Sequence, residues 1–137
     1  MNVRSDTGSV TTEMAVVMAV FFATFMLLPV YAGRVAQAEG EVQSAAQEAA
    51  RAATLTGDPG TADSVARQVA ASNLQAAGVS CSTFTVGVDV SDFVPGGYVT
   101  VNISCVADFG DVTSLGVPGS RTFYGQATEI IDQYRSP

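Results

Sequence analysis

The sequence predicts an α+β chain: a long N-terminal helix that spans a membrane, a short second helix, and a three-stranded antiparallel β-meander. Three observations predict it. Residues 14–33, MAVVMAVFFATFMLLPVYAG, carry no charge, and as a helix of about 30 Å they cover a bilayer core. The next stretch, VAQAEGEVQSAAQEAARAATL, is alanine-rich with good helix formers. Beyond Gly78 the composition changes to Val, Thr, Phe and Ser alternating with period two, which is strand material. In 137 residues, a membrane helix leaves room for one modest globular domain.

Taken in order, residues 1–8 read as a short polar leader. Helix signal begins near Val10 and runs to roughly Leu55, giving a long element over residues 9–55 with its membrane-spanning part at about 14–33. Pro29 lies inside it, where the missing N–H and the crowded Phe25 carbonyl predict a kink. Past the membrane a stripe of Val35, Ala38, Val42, Ala45, Ala49 and Ala52 steps by three and four, a heptad-like seam. Its small residues suit a partner helix or sheet approaching closely. Gly40 weakens the helix by about 1 kcal/mol relative to alanine.

The remaining residues, 56–137, form the predicted small α+β domain. TGDPGT at 56–61 breaks the helix. A second helix is expected over residues 62–77, with Thr61 as N-cap, Asp63 in the first turn and Gly78 closing it. Its apolar face holds Val65, Ala66, Val69, Ala70, Leu74 and Ala77. Phe84, Val86, Val88 and Val90 then alternate with polar residues in a first strand, and Val99, Val101 and Ile103 do so in a second after a turn at 91–97. A third strand is expected near residues 122–131, after the Pro118-Gly119 turn.

Charge and composition exclude several function classes. The chain has net charge −7, no histidine and no lysine. Residues 34–137 hold five arginines against eleven carboxylates, a net charge of −6, the wrong sign for nucleic acid as a partner. Absence of histidine removes the commonest general base and metal ligand. The reading is therefore not an enzyme, with no catalytic residue, no cofactor and no metal. Asp108-Phe109-Gly110 matches a kinase metal-binding tripeptide by chance, in a chain too short for that fold. Asp108 with Asp111 reads as a solvated acidic loop, and Asn102-Ile103-Ser104 as a sequon without consequence. Counting basic residues at the two ends of the apolar run places the N-terminus inside and residues 34–137 outside the cytoplasm.

Gly8 is followed five positions later by Glu13, immediately before the apolar run. A carboxylate there is costly to insert and so marks function. The stretch Gly-Ser-Val-Thr-Thr-Glu resembles the prepilin processing site of type IV pilin relatives. Gly33-Arg34 then leads into Ala45-Ala46-Gln47-Glu48-Ala49-Ala50-Arg51-Ala52-Ala53, and together these segments resemble the TadE-like family of tight-adherence (Tad) pilus systems. The C-terminal ATEIIDQYRSP resembles the family's ending more loosely. Two departures are Met14, where an aromatic residue often follows the glutamate, and Pro29, which lies farther from the glutamate than the family's proline. The resemblance implies a pilin-like fold and a structural role as a minor pilin or pseudopilin. It implies a prepilin peptidase that cuts after Gly8, so that Ser9 becomes the N-terminus and Glu13 the fifth residue. It also implies other pilin-like subunits, pilus assembly proteins and the lipid bilayer of the bacterial cytoplasmic membrane as partners.

Glu13 has a physical account beside that. Ser9 and Glu13 are four apart on one helix face, so the carboxylate pairs with the new Ser9 amine, its own or a neighbour's. The family implies the neighbour, in assembly. A solvated helix-flank acid is the plain alternative. Val30-Tyr31-Ala32 also offers small residues for signal peptidase, so a secreted or signal-anchored domain without a pilus role, cut before Gly33, is the second reading.

Cys81 and Cys105 suit a structural disulfide in an exported domain. Hydrophobic register prefers Phe84 opposite Ile103 and Val86 opposite Val101, which puts the two cysteines on opposite faces. A bulge, or Cys81 lying just before the strand, resolves the conflict.

Overall fold

The structure, a computed structural model, describes residues 7–108 and 119–134, and side chains from Val10 onward within that range. The order is α1 (Thr7–Thr54), α2 (Pro59–Ala76), β1 (Cys81–Asp92), β2 (Tyr98–Asp108) and β3 (Ser120–Ile130), the long helix, second helix and meander expected from the sequence. The chain forms two compact units, Met1–Val35 and Ala36–Pro137. Of the sequence features, residues 1–6, the Phe109-Gly110-Asp111 stretch, Pro118 and the last three residues lie outside those described.

In the first unit α1 starts at Thr7, three residues before the expected Val10, and its helical backbone continues unbroken through Pro29. Thr24 Oγ1 donates to the Val20 carbonyl one turn back, over 2.9 Å, which satisfies the one hydroxyl in the middle of the apolar run. Phe21 and Phe25 stack with centroids 6.2 Å apart.

In the second unit the last five turns of α1 and all of α2 cover one face of the sheet, whose order is β1-β2-β3 with antiparallel neighbours. Val99, Val101, Ile103, Cys105 and Ala107 of the central strand point into this layer and are buried. Phe123 and Ala127 join them from β3, with Val86 from β1. The helix layer answers with Ala38, Val42, Ala45, Ala46, Ala49, Ala50 and Ala53 of α1, and Ala62, Ala66, Ala70 and Leu74 of α2. The alanine seam is thus largely covered within the chain itself, with Val42 against Gly125 of β3 and Ala45 beside Ala76 and Ala77 of α2. Gly125 shows how close that approach is, since a Cβ there would lie 2.5 Å from the Val42 carbonyl oxygen. Only glycine leaves room for the helix backbone at that point.

Two local details differ from the sequence reading. α2 starts at Pro59, because Asp58 and not Thr61 is the N-cap, its carboxylate accepting from the Thr61 N–H over 2.9 Å. Proline at the first helical position lacks only an N–H that the helix cannot use there, so the residue read as a breaker begins the helix. The register differs too: Phe84 faces Cys105 and Val86 faces Ile103, two residues from the expected pairing. A slip of two keeps every side chain on its face, so hydrophobic alternation does not distinguish the two registers. The connection between the two strands is closed within residues 93–97, where Gly97 N–H donates to the Val94 carbonyl over 2.8 Å and Gly96 stands at φ 83°.

The C-terminus of α2 closes with Gly78 at φ 73°, with Gly78 N–H donating to Gln75 and Val79 N–H to Leu74. This pair of bonds is a Schellman cap, and the left-handed backbone it needs is why glycine stands there.

Candidate functional site

The residues singled out from the sequence fall in both units. Gly8 and Ser9 lie in the first turn of α1, and Glu13 lies beyond it with an exposed side chain. Downstream of Glu13 the same helix carries a row of bare apolar groups: Met14, Val17, Phe21, Phe22, Phe25, Met26 and Leu28 are all more than half exposed. A patch of this size on a soluble surface is a liability. On a helix with an 18-residue window of mean hydropathy 2.2, within Val10–Thr54, it is what a membrane-spanning segment presents to lipid. By length and composition the helix is able to cross a bilayer.

In the second unit, Cys81 and Cys105 are joined, with Cα atoms 5.3 Å apart. The face conflict is resolved by a bulge: β1 shifts register between Cys81 and Thr83, so Cys81 stands opposite Ala107 and its side chain turns to the same face as Cys105. Cys105 is fully buried and Cys81 half-buried. Ser82, the extra residue, donates from its hydroxyl to the Val106 carbonyl over 3.1 Å.

Charged groups with shifted titration serve structure. The hydrogen bond from Arg67 holds the Asp63 carboxyl below its ordinary value and raises Arg67 in return, the two meeting at 2.9 and 3.0 Å. Hydrogen bonds from Thr61 lower Asp58, and those from Ser91 lower Asp89. Among the described residues no group of three or more His, Cys, Asp or Glu is placed to hold a metal ion. An open cleft of about 350 Å³ lies between the end of α2 and the start of β1, lined by Leu74, Val79, Cys81 and Phe84 among others. It brings together no acid, base and nucleophile.

Two contacts had little or no signal in the sequence. Gln43 of α1 bonds both backbone groups of Gln126 in β3, and Arg67 of α2 donates to the Val86 carbonyl of β1. Gln43 and Arg67 read as ordinary exposed helix residues. Gly125 was not singled out from the sequence either, although a lone glycine inside a strand pattern is the signal for a close backbone approach.

The sequence profile of the TadE-like protein family matches residues 8–51. The match begins at Gly8, takes in Glu13 and the apolar run, and ends within the alanine-rich half of α1. It identifies the chain, over that segment, as similar to Tad pilus-associated proteins, a structural family of pilus assembly. No curated protein and no solved structure matches the chain.

Proposed function

We propose that this chain is a structural, pilin-like component, a minor pilin or pseudopilin, of a Tad-type pilus or secretion apparatus. A prepilin peptidase cuts after Gly8. The product is held in the cytoplasmic membrane by residues 14–33, with its N-terminus inside and its α+β domain outside, until it joins other pilin-like subunits. The observation that carries the reading is where the family match lies, from the Gly8–Glu13 spacing through a membrane-capable helix. The disulfide supports the outward placement of the domain, since such bonds persist in oxidising compartments.

In this reading Glu13 works after cleavage. A carboxylate at the bilayer edge is stabilised by the Ser9 amine of a neighbouring subunit, and low local dielectric strengthens that pair. The alanine face of α1 is taken up within the chain, so contacts between subunits fall to the apolar half of the helix and to the exposed side of the sheet.

Sequencing the mature N-terminus of protein recovered from membranes tests the proposal. A start at Ser9 supports it, and Gly8→Leu should abolish that start by denying the peptidase close approach to the backbone. A start at Gly33 supports the released-domain reading instead. An uncut Met1 in cells that make a prepilin peptidase removes the processing step from the proposal.

A further inference from the structure

The two cysteines of the disulfide stand in unlike places. Cys105 lies in the central strand, in one inward row with Phe84 of β1 and Phe123 of β3 as its neighbours. It is fully buried under the helix layer. Cys81 is the first residue of β1, where the bulge sets it opposite Ala107 and leaves it half-buried. α2 stops at Ala76, and the turn at Gly78 carries the chain into β1 at Cys81, so the helix cover ends where the strand begins. Cys81 therefore lines the open cleft of about 350 Å³, together with Ala71, Leu74, Val79 and Phe84. Thiol–disulfide exchange depends on access to the sulfur that attacks or is attacked. A half-buried cysteine joined to a fully buried one gives the pair a single approach.

We infer that Cys81 is the sulfur through which the bond is made in the folded domain, and that the cleft between α2 and β1 admits the external disulfide that oxidises the pair. The cleft is at the small end of ligand sites, which suits a low-molecular-weight disulfide. In the reduced chain the Cys81 thiolate attacks one sulfur of that disulfide. The external S–S bond breaks, a mixed disulfide forms on Cys81, and the first external sulfur leaves with the proton that Cys81 gave up. Cys105 then attacks Cys81 Sγ from within the core. The mixed disulfide breaks, the Cys81–Cys105 bond forms, and the second external sulfur leaves with the Cys105 proton. Two protein thiols are oxidised, and one external disulfide is reduced to two thiols. No step needs Cys105 to be reached from outside, since Cα atoms 5.3 Å apart place its sulfur within reach of Cys81. Reduction by an external thiol retraces the same steps.

The test uses the full chain in detergent micelles, with glutathione disulfide as the oxidant. Cys105→Ala leaves the Cys81 thiol alone, Cys81→Ala leaves the Cys105 thiol alone, and mass spectrometry follows glutathione addition to each. Cys81 should react about a hundredfold faster or more, because Cys105 is reached only when the domain opens. In urea that unfolds the domain, the two rates should converge. Adding Ala71→Phe to Cys105→Ala puts a ring at the exposed rim of the cleft and should slow Cys81 on the order of tenfold. Similar native rates for the two thiols, a faster Cys105, or a Cys81 rate that Ala71→Phe leaves unchanged would each overturn the inference. If circular dichroism shows Cys81→Ala to be unfolded, the reduced parent chain decides. Given a limiting amount of iodoacetamide, it should carry the label on Cys81. A label on Cys105, or shared equally, overturns the inference, because the pair then closes without an entry sulfur.

Discussion

The two halves of α1 are one helix made of opposite materials. In the first unit its large apolar side chains face outward, with Phe25 64% and Met26 67% exposed. In the second unit the buried residues are small, with Ala46, Ala49 and Ala50 at zero exposure. Hydropathy is therefore highest where the protein itself buries nothing. Residue size follows from what each face meets. Lipid chains adapt to any apolar shape, so bulk there adds favourable transfer energy. A preformed sheet does not adapt, and its approach at Gly125 admits only residues that let the two backbones come together. The lesson is that an alanine seam in this chain marks contact within the chain, and a Phe, Met and Leu run marks a face that the chain itself leaves uncovered.

The disulfide gives the largest way to break the comparison, because it acts on the second unit alone. Replacing Cys81 and Cys105 together by alanine should destabilise that unit by roughly 3 kcal/mol in the chain-entropy account of a loop with sequence separation 24. Urea titration of the full chain in micelles, followed by tyrosine fluorescence, measures it. The helix of the first unit should keep its circular dichroism signal throughout. A parent-like midpoint for the double variant would show that the sheet is already held in place without the bond.

Next in size comes the close approach. Gly125→Ala places a Cβ against the Val42 carbonyl and should cost about 2 kcal/mol, since helix and sheet must part to accept it. Phe22→Ala in the other half should leave the same urea midpoint unchanged, although it removes far more apolar surface. The contrast fails if Phe22→Ala lowers the midpoint of the second unit as much as Gly125→Ala does.

These sites also show what the sequence revealed and what it did not. Long runs with one period were legible: the apolar segment, the alanine seam and the alternating strands. The bulge at Cys81 was half legible, because two cysteines on opposite faces left open either a bulge or a Cys81 lying just before the strand, and the structure has the bulge. A slip of two residues was not legible, since Phe84 keeps its face whether it meets Ile103 or Cys105. Pro59 was read as an ending because proline stops a helix that reaches it, yet it also starts one when Asp58 stands before it. Gln43 and Arg67 left no trace, because a bond from a helix to a strand 83 or 19 residues away has no local period. For the candidate segment, the spacing of Gly8, Glu13 and the apolar run was all in the sequence.

A smaller effect belongs to the start of α2. Thr61 lowers the Asp58 carboxyl by hydrogen bonds made only in the folded chain. The folded value thus lies below the unfolded one of about 3.9, so this contribution is complete above that pH and is lost as pH falls through the folded value. Asp63 and Asp89 act in the same direction. Asp58→Asn keeps a capping oxygen without a proton to gain. Stability near neutral pH should barely change, and the loss between pH 4 and pH 2 (approximate bounds from ~3.9) should become shallower than in the parent. An acid limb of the same steepness would mean that the cap does not contribute to it.

The smallest effect on folding should come from Glu13, where the two halves differ most. Its side chain is exposed in the first unit, among residues that bury nothing within the chain. Glu13→Gln keeps shape and hydrogen bonding and removes only the charge. Because a lone carboxylate at the bilayer edge is unfavourable, membrane residence should be equal or slightly better, and the urea midpoint of the second unit should not move. Cleavage after Gly8 should proceed, since the peptidase acts at the backbone five residues away. What should be lost is association with other pilus subunits, read as failure to co-purify with the assembly machinery from membranes, and Glu13→Ala should share that defect. A variant that is correctly cut, fully stable and unable to assemble would locate the charge's work between chains and not within one. If both variants co-purify and support piliation like the parent, Glu13 is a helix-flank acid only, and the contacts between subunits rest on the apolar half of α1 without it.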